Sequence, residues 1–166
     1  IGLMSIKICK YLGARNIVIT DTNEYRLELA KKLGASKTIN IKNQKIKDSY
    51  KNLKIVKGFD IGLEMSGNPN ALSDMLNNMY HGGRISLLGL LPKNTPINWD
   101  LVIFKGLILK GIYGRKIYET WYKMTQMLKN GLNVSEIITH EISINNFEEG
   151  FKIMDTKKCG KIVMKW

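Results

Sequence analysis

Short apolar runs and capped helical runs take turns along this chain, and that alternation limits its possible folds more than any other feature. Residues 16–21 read Asn16-Ile17-Val18-Ile19-Thr20-Asp21, β-branched and apolar on consecutive positions, as strands covered on both faces are. Comparable runs return at 38–41, 59–65, 84–89 and 107–113. Helix signals stand between them. Thr22 or Asn23 can cap a helix over 24–33, with Tyr25, Leu29 and Leu33 on one side and Gly34 just past its end. Asn68 followed by Pro69 opens a second helix reaching Met79, and Asn98 or Asp100 opens a short third one through Phe104. The lysine-rich segment 44–53 is a further helix candidate, and His81-Gly82-Gly83 reads as the turn before the 84–89 strand. Strands joined by right-handed helical crossovers form a parallel sheet with helices on both faces. The expected class is α/β with a doubly wound sheet.

The ends of the chain differ from its middle. Ile1, Met4, Ile8 and Leu12 recur at helical spacing from the first residue onward. A chain that opens inside a helix, with neither cap nor leader, is expected to be the C-terminal part of something longer. After a helix over 117–129 stopped at Gly131 come a strand over 137–144, a helix over 147–154 capped by Asn145 or Asn146, and a strand over 160–166. This strand-helix-strand tail does not continue the alternating sheet. Two parts follow: residues 1–114, and residues 115–166.

Composition removes several function classes. At 166 residues and 44% apolar, the chain can bury a core without covalent staples. Cys9 and Cys159 lie 150 residues apart, which excludes a disulfide framework and a local cysteine zinc site, and fits a reduced, cytoplasmic setting. No run approaches the roughly 18 apolar residues of a membrane span. The net charge of +12 raises nucleic-acid binding. Only 4 of the 26 basic residues are arginine, however, and the lysines are spread along the chain. Base readout favours the arginine fork, so neither nucleic acid nor membrane is the expected partner.

Ligands of open parallel sheets bind at the carboxyl ends of the strands. Asp21 ends one strand, 19 residues after Gly2. A dinucleotide-binding unit places a carboxylate about 20 residues after its glycine-rich turn to hold the adenosine ribose hydroxyls. Gly2 then suits the last glycine of such a turn, and the sheet is Rossmann-like. The same Asp21 could instead cap the next helix. A carboxylate there repels a 2′-phosphate, which favours NAD over NADP. Arg26 can lie against the adenosine as a planar cation, or pair with Glu24 or Glu28 on a solvated helix face. Leu88-Gly89-Leu90 closes another strand, where Gly89 lets backbone approach the nicotinamide-side ribose or simply forms a turn. Ile112 and Tyr113 end the next strand and could flank the nicotinamide ring. No Ser-His-Asp arrangement, H-E-x-x-H or C-x-x-C is present, and His81 and His140 read as structural or solvated. No catalytic residue and no metal ligand is assigned.

Several runs carry a resemblance. Asp21-Thr22-Asn23-Glu24-Tyr25-Arg26, Gly58-Phe59-Asp60-Ile61-Gly62-Leu63-Glu64-Met65-Ser66-Gly67, His81-Gly82-Gly83-Arg84-Ile85 and Phe104-Lys105-Gly106 resemble the L-threonine 3-dehydrogenases, a group of zinc-dependent medium-chain dehydrogenases. Lys110-Gly111-Ile112-Tyr113-Gly114-Arg115 followed by Glu119-Thr120-Trp121-Tyr122-Lys123-Met124 is the most specific part. The resemblance spans essentially the whole chain. It implies hydride transfer from C3 of L-threonine to NAD⁺, giving 2-amino-3-oxobutanoate and NADH, with zinc polarising the substrate hydroxyl in the complete enzyme. It implies coenzyme contacts at Ile1, Asp21, Arg26, Leu88, Gly89, Leu90, Ile112 and Tyr113, Ile1 by resemblance alone, and a cytoplasmic homotetramer. It also places the zinc-holding half before residue 1, with the tail after residue 114 completing that catalytic domain. Apolar surface at Phe147, Phe151, Ile153 and Met154 is then expected to be uncovered. Two other outcomes remain open: another zinc-dependent polyol or secondary-alcohol dehydrogenase, or a catalytically inactive NAD-binding fragment.

Overall fold

The computed structural model describes residues 1–166. The chain divides into two compact units, Ile1–Lys45 with Ile117–Trp166, and Ile46–Lys116.

The first unit begins with helix α1 (Gly2–Tyr11), strand β1 (Val18–Asp21), helix α2 (Glu24–Lys32) and strand β2 (Lys37–Asn40). β1 and β2 pair in parallel, with Asp21 opposite Asn40. Asn23 is the cap of α2, its side chain accepting from the Arg26 amide at 3.2 Å. The unit also holds α6 (Glu119–Lys129), β6 (Ile138–Ser143), α7 (Phe147–Asp155) and β7 (Lys161–Lys165), with β6 and β7 parallel. Its core joins Ile6 of α1, Ile17, Ala30 and Leu33 to Ile137, just ahead of β6. Phe147, Phe151 and Met154 lie one helical turn apart on α7 and are 47%, 56% and 53% exposed, an uncovered stripe at the expected place. Ile153 is half-buried instead.

The second unit contains α3 (Asp48–Leu53), β3 (Phe59–Glu64), α4 (Pro69–Asn78), β4 (Met79–Leu87), α5 (Trp99–Phe104) and β5 (Ile108–Gly111). Its strands form a parallel sheet in the order β3-β4-β5. Asn68 and Asn98 cap α4 and α5 through their side chains, satisfying amides that a helix start leaves without partners. Leu72, Leu76, Met79, Ile85 and Leu107 form the core. On β3 the pleat alternates. Gly62 faces Met75 of α4, while Ile61 points the other way and is 59% exposed. Within this unit only one sheet face is covered.

The α/β architecture and parallel pairing match expectation, with the seven strands divided among two-, three- and two-stranded sheets. Two local expectations change. His81-Gly82-Gly83 does not turn the chain ahead of a strand, because β4 already starts at Met79, which is buried in the core. Phe59 pairs with Met79 but Ile61 pairs with Arg84, so the extra residues bulge out, and Gly82 takes a φ of 75° there. The lysine-rich helix is shorter than expected and starts at Asp48. Gln44 belongs to the preceding turn, where its side chain accepts from the Asn40 amide at 3.1 Å.

The end of α4 is held from a distance in sequence. Lys105 donates its Nζ protons to the carbonyls of Leu76 and Asn77 at 2.8 Å and of Met79 at 3.1 Å. Burial, and then the charge of Lys47, hold its pKa below the usual lysine value. The ammonium nevertheless sits where helix carbonyls and the negative end of the helix dipole converge. Lys105→Met is expected to lower unfolding free energy by about 1–2 kcal/mol in urea titration, because it strands those carbonyls. A loss below about 0.5 kcal/mol would mean that water replaces the ammonium at little cost.

Candidate functional site

Asp21 occupies the carboxyl end of β1 and is half-buried. Its Oδ1 accepts from the amides of Thr22 at 2.7 Å and Asn23 at 2.9 Å. The capping role weighed for Asp21 belongs to Asn23. Asp21 instead shapes the turn, and its Oδ2 has no hydrogen-bond partner. A fixed carboxylate with one open oxygen at a parallel strand's carboxyl end is equipped to accept from a pair of vicinal hydroxyls.

Arg26 lies in the first turn of α2, half-buried. It is not paired with Glu24, whose Oε1 takes the side-chain amide of Asn40 instead. Ile1 starts α1 as its N-terminal flanking residue, its carbonyl accepting from Met4 and Ser5, and its side chain is 71% exposed.

In the second unit the carboxyl ends of β3 and β4 are locked together. The Glu64 carbonyl accepts from the amides of Leu88 at 2.9 Å and Gly89 at 3.2 Å. Leu88 is half-buried and Leu90 is 94% exposed. Gly89 is more than a turn residue. A Cβ built on it would stand 2.1 Å from the Gly67 nitrogen and 2.4 Å from Glu64 Oε2, so no larger residue fits. Ile112 follows β5 with its amide on the Leu87 carbonyl at 2.8 Å, and the side chain of Tyr113 is fully exposed. The structure thus brings Leu88, Gly89 and Leu90 onto one braced loop. Ile112 is tied to the strand just before it.

Sequence reasoning singled out no role for Glu64, which is only 2% exposed. The available signal was an acidic residue closing an apolar strand, with Ser66 and Gly67 two and three positions on. That spacing lets the carboxylate accept from the chain that follows.

The two histidines have local neighbours. His140 shares a 2.9 Å hydrogen bond with Thr139 Oγ1, and the His81 ring lies edge-on to Tyr80. Burial pushes the Cys9 thiol up, which disfavours the nucleophilic thiolate. No three His, Cys, Asp or Glu side chains come together in a way that could hold a metal ion. The residues of this chain therefore do not fit a zinc site, and no step is assigned to one. No helix is long and apolar enough to cross a membrane.

The chain is similar to known proteins over most or all of its length. Residues 1–130 match the family model described as zinc-binding dehydrogenase. The whole chain is 52% identical to the L-threonine 3-dehydrogenase of Stenotrophomonas maltophilia and 51% identical to that of Legionella pneumophila, covering 48% and 49% of those proteins. The chain thus spans about half the length of the curated relatives it matches. Among solved structures, 2R,3R-butanediol dehydrogenase from Bacillus subtilis superimposes with a TM-score of 0.86 at 21% identity, over 99% of this chain and 47% of that one. A short chain alcohol dehydrogenase from E. coli CFT073 complexed with cofactor NADH gives 0.84 at 18% identity, over 99% and 49%. These likenesses place the fold, and the family match and close relatives place the lineage: the chain belongs to the zinc-binding dehydrogenase family.

Proposed function

We propose that this chain is the NAD-binding part of an L-threonine 3-dehydrogenase, which in its complete form oxidises L-threonine at C3 to 2-amino-3-oxobutanoate. The observation that carries this reading is 51–52% identity, over all 166 residues, to proteins bearing that name. Asp21 accepts from the adenosine ribose hydroxyls and disfavours a 2′-phosphate, so NAD is the coenzyme. Arg26 lies against the adenosine, and Ile1 contributes backbone beside it. Leu88, Gly89 and Leu90 contact the nicotinamide-side ribose, and Ile112 and Tyr113 flank the nicotinamide. Residues 1–114 form the coenzyme domain and 115–166 join the catalytic domain. The complete enzyme is a cytoplasmic homotetramer that supplies its zinc ligands outside these residues.

Two measurements test the proposal. The purified chain is expected to quench or enhance NADH fluorescence saturably, yet to form no NADH from threonine and NAD⁺ even with added zinc, because it has no ligand set. Joined behind the preceding half of the Stenotrophomonas maltophilia relative, the same residues are expected to support NADH formation from threonine. Oxidation of sorbitol in preference to threonine by that fusion would overturn the substrate assignment and favour a polyol dehydrogenase. Turnover by the isolated chain would overturn its role as a binding part only.

A further inference from the structure

We propose that Glu64 is a positioning residue of the coenzyme site, whose buried carboxylate clamps the turn after β3 beneath the 88–90 loop and sets that loop's height. The proposal rests on the reading of residues 88–90 as nicotinamide-side contacts. Glu64 Oε1 accepts from the Ser66 amide at 2.8 Å, the Ser66 hydroxyl at 2.5 Å and the Gly67 amide at 3.0 Å. The Gly67 amide also reaches Oε2 at 3.2 Å. Each of these donors is a neutral N–H or O–H. The Ser66 hydroxyl in turn accepts from the Asn68 amide at 3.1 Å and passes the constraint to the start of α4.

Contact with the coenzyme loop is direct. Gly67 has a φ of +67°, and a Cβ there would stand 2.4 Å from the Leu90 carbonyl oxygen. A Cβ on Gly89 would likewise stand 2.1 Å from the Gly67 nitrogen and 2.4 Å from Glu64 Oε2. Two glycines and one carboxylate therefore form a stack with no spare atom. The main chain of Glu64 holds Leu88 and Gly89 from the same residue. An apolar side chain at 64 would fill the space but leave three converging donors without the acceptor that holds the turn. The residue type follows from the loop, since the core formed by Leu72, Leu76, Met79, Ile85 and Leu107 is complete without it. Loops that meet a ligand bind best when such supports fix them in advance.

The test compares Glu64→Ala, Glu64→Gln and Gly67→Ala by NADH titration and by amide hydrogen exchange at Gly67, Leu88 and Gly89. Glu64→Gln retains an oxygen at Oε1 and is expected to bind NADH within about three-fold of the unaltered chain. Glu64→Ala is expected to lose about ten-fold or more in affinity and to exchange faster at all three amides. Gly67→Ala leaves the carboxylate in place but forces the loops apart, and is expected to match Glu64→Ala. It serves where Glu64→Ala does not fold. Faster exchange without a change in affinity would overturn the positioning role, and unchanged exchange would overturn the clamp itself. An unaltered chain that fails to bind NADH while the exchange pattern appears as expected would overturn the coenzyme reading and leave the clamp standing.

Discussion

Asp21→Asn is expected to weaken NADH binding by roughly ten- to one-hundred-fold, the worth of hydrogen bonds to an ionised acceptor. Asparagine is close to isosteric and keeps Oδ1, so the Thr22 and Asn23 amides retain the acceptor they use now. What changes is the other position. An NH₂ replaces the open Oδ2 and presents a donor to ribose hydroxyls that need an acceptor. The negative charge is lost too, so repulsion of a 2′-phosphate falls and the preference for NADH over NADPH should narrow. Fluorescence titration with both coenzymes reads the two effects, and circular dichroism checks that the turn has survived. An unchanged NADH affinity would mean that Asp21 merely folds the turn, and the adenosine contact would have to be sought elsewhere.

The ease with which Asp21 is placed at a strand end, and the difficulty of seeing what Glu64 packs against, have one physical cause. Asp21 is legible because local rules converge on it: a β-branched strand ends there, a helix capped by Asn23 follows, and Gly2 stands at the right distance upstream. Asn68-Pro69 and Asn98 are legible for the same reason, since caps act within three residues. Glu64 has half its meaning at that range, through Ser66 and Gly67. The other half lies in Gly89, 25 residues on, and only the parallel pairing of β3 with β4 brings it close. The bulge at residues 80–83 has the same origin. A His-Gly-Gly run fits a turn by local preference, but burial of Met79 starts the strand earlier. The partition of the strands into separate sheets is likewise settled by pairing, to which alternation along the chain is blind.

Leu76→Ala is expected to cost about 2–5 kcal/mol, the range for emptying a well-packed leucine site. Leu76 is 1% exposed at the centre of the core under β3, β4 and β5, and its neighbours Leu72, Met79 and Ile85 are each at most 2% exposed. Leu76 projects from α4 into a core that Leu101 and Val102 of α5 and Phe59, Leu87 and Leu109 of the sheet also enclose, so collapse into the cavity would have to move a helix end that Lys105 already holds. The loss should also be local. The core around Leu76 shares no residue with the one built from Ile6, Ile17, Ala30, Leu33 and Ile137. Native-state hydrogen exchange on the variant is therefore expected to show protection falling through Ile46–Lys116 well before it falls in β1 and β2. Equal losses in both units would show that the chain unfolds as one cooperative body, its separate cores notwithstanding. A unit this size has only a few kcal/mol to lose, so the same substitution should also open the turn held by Glu64 and weaken whatever coenzyme contact the 88–90 loop makes.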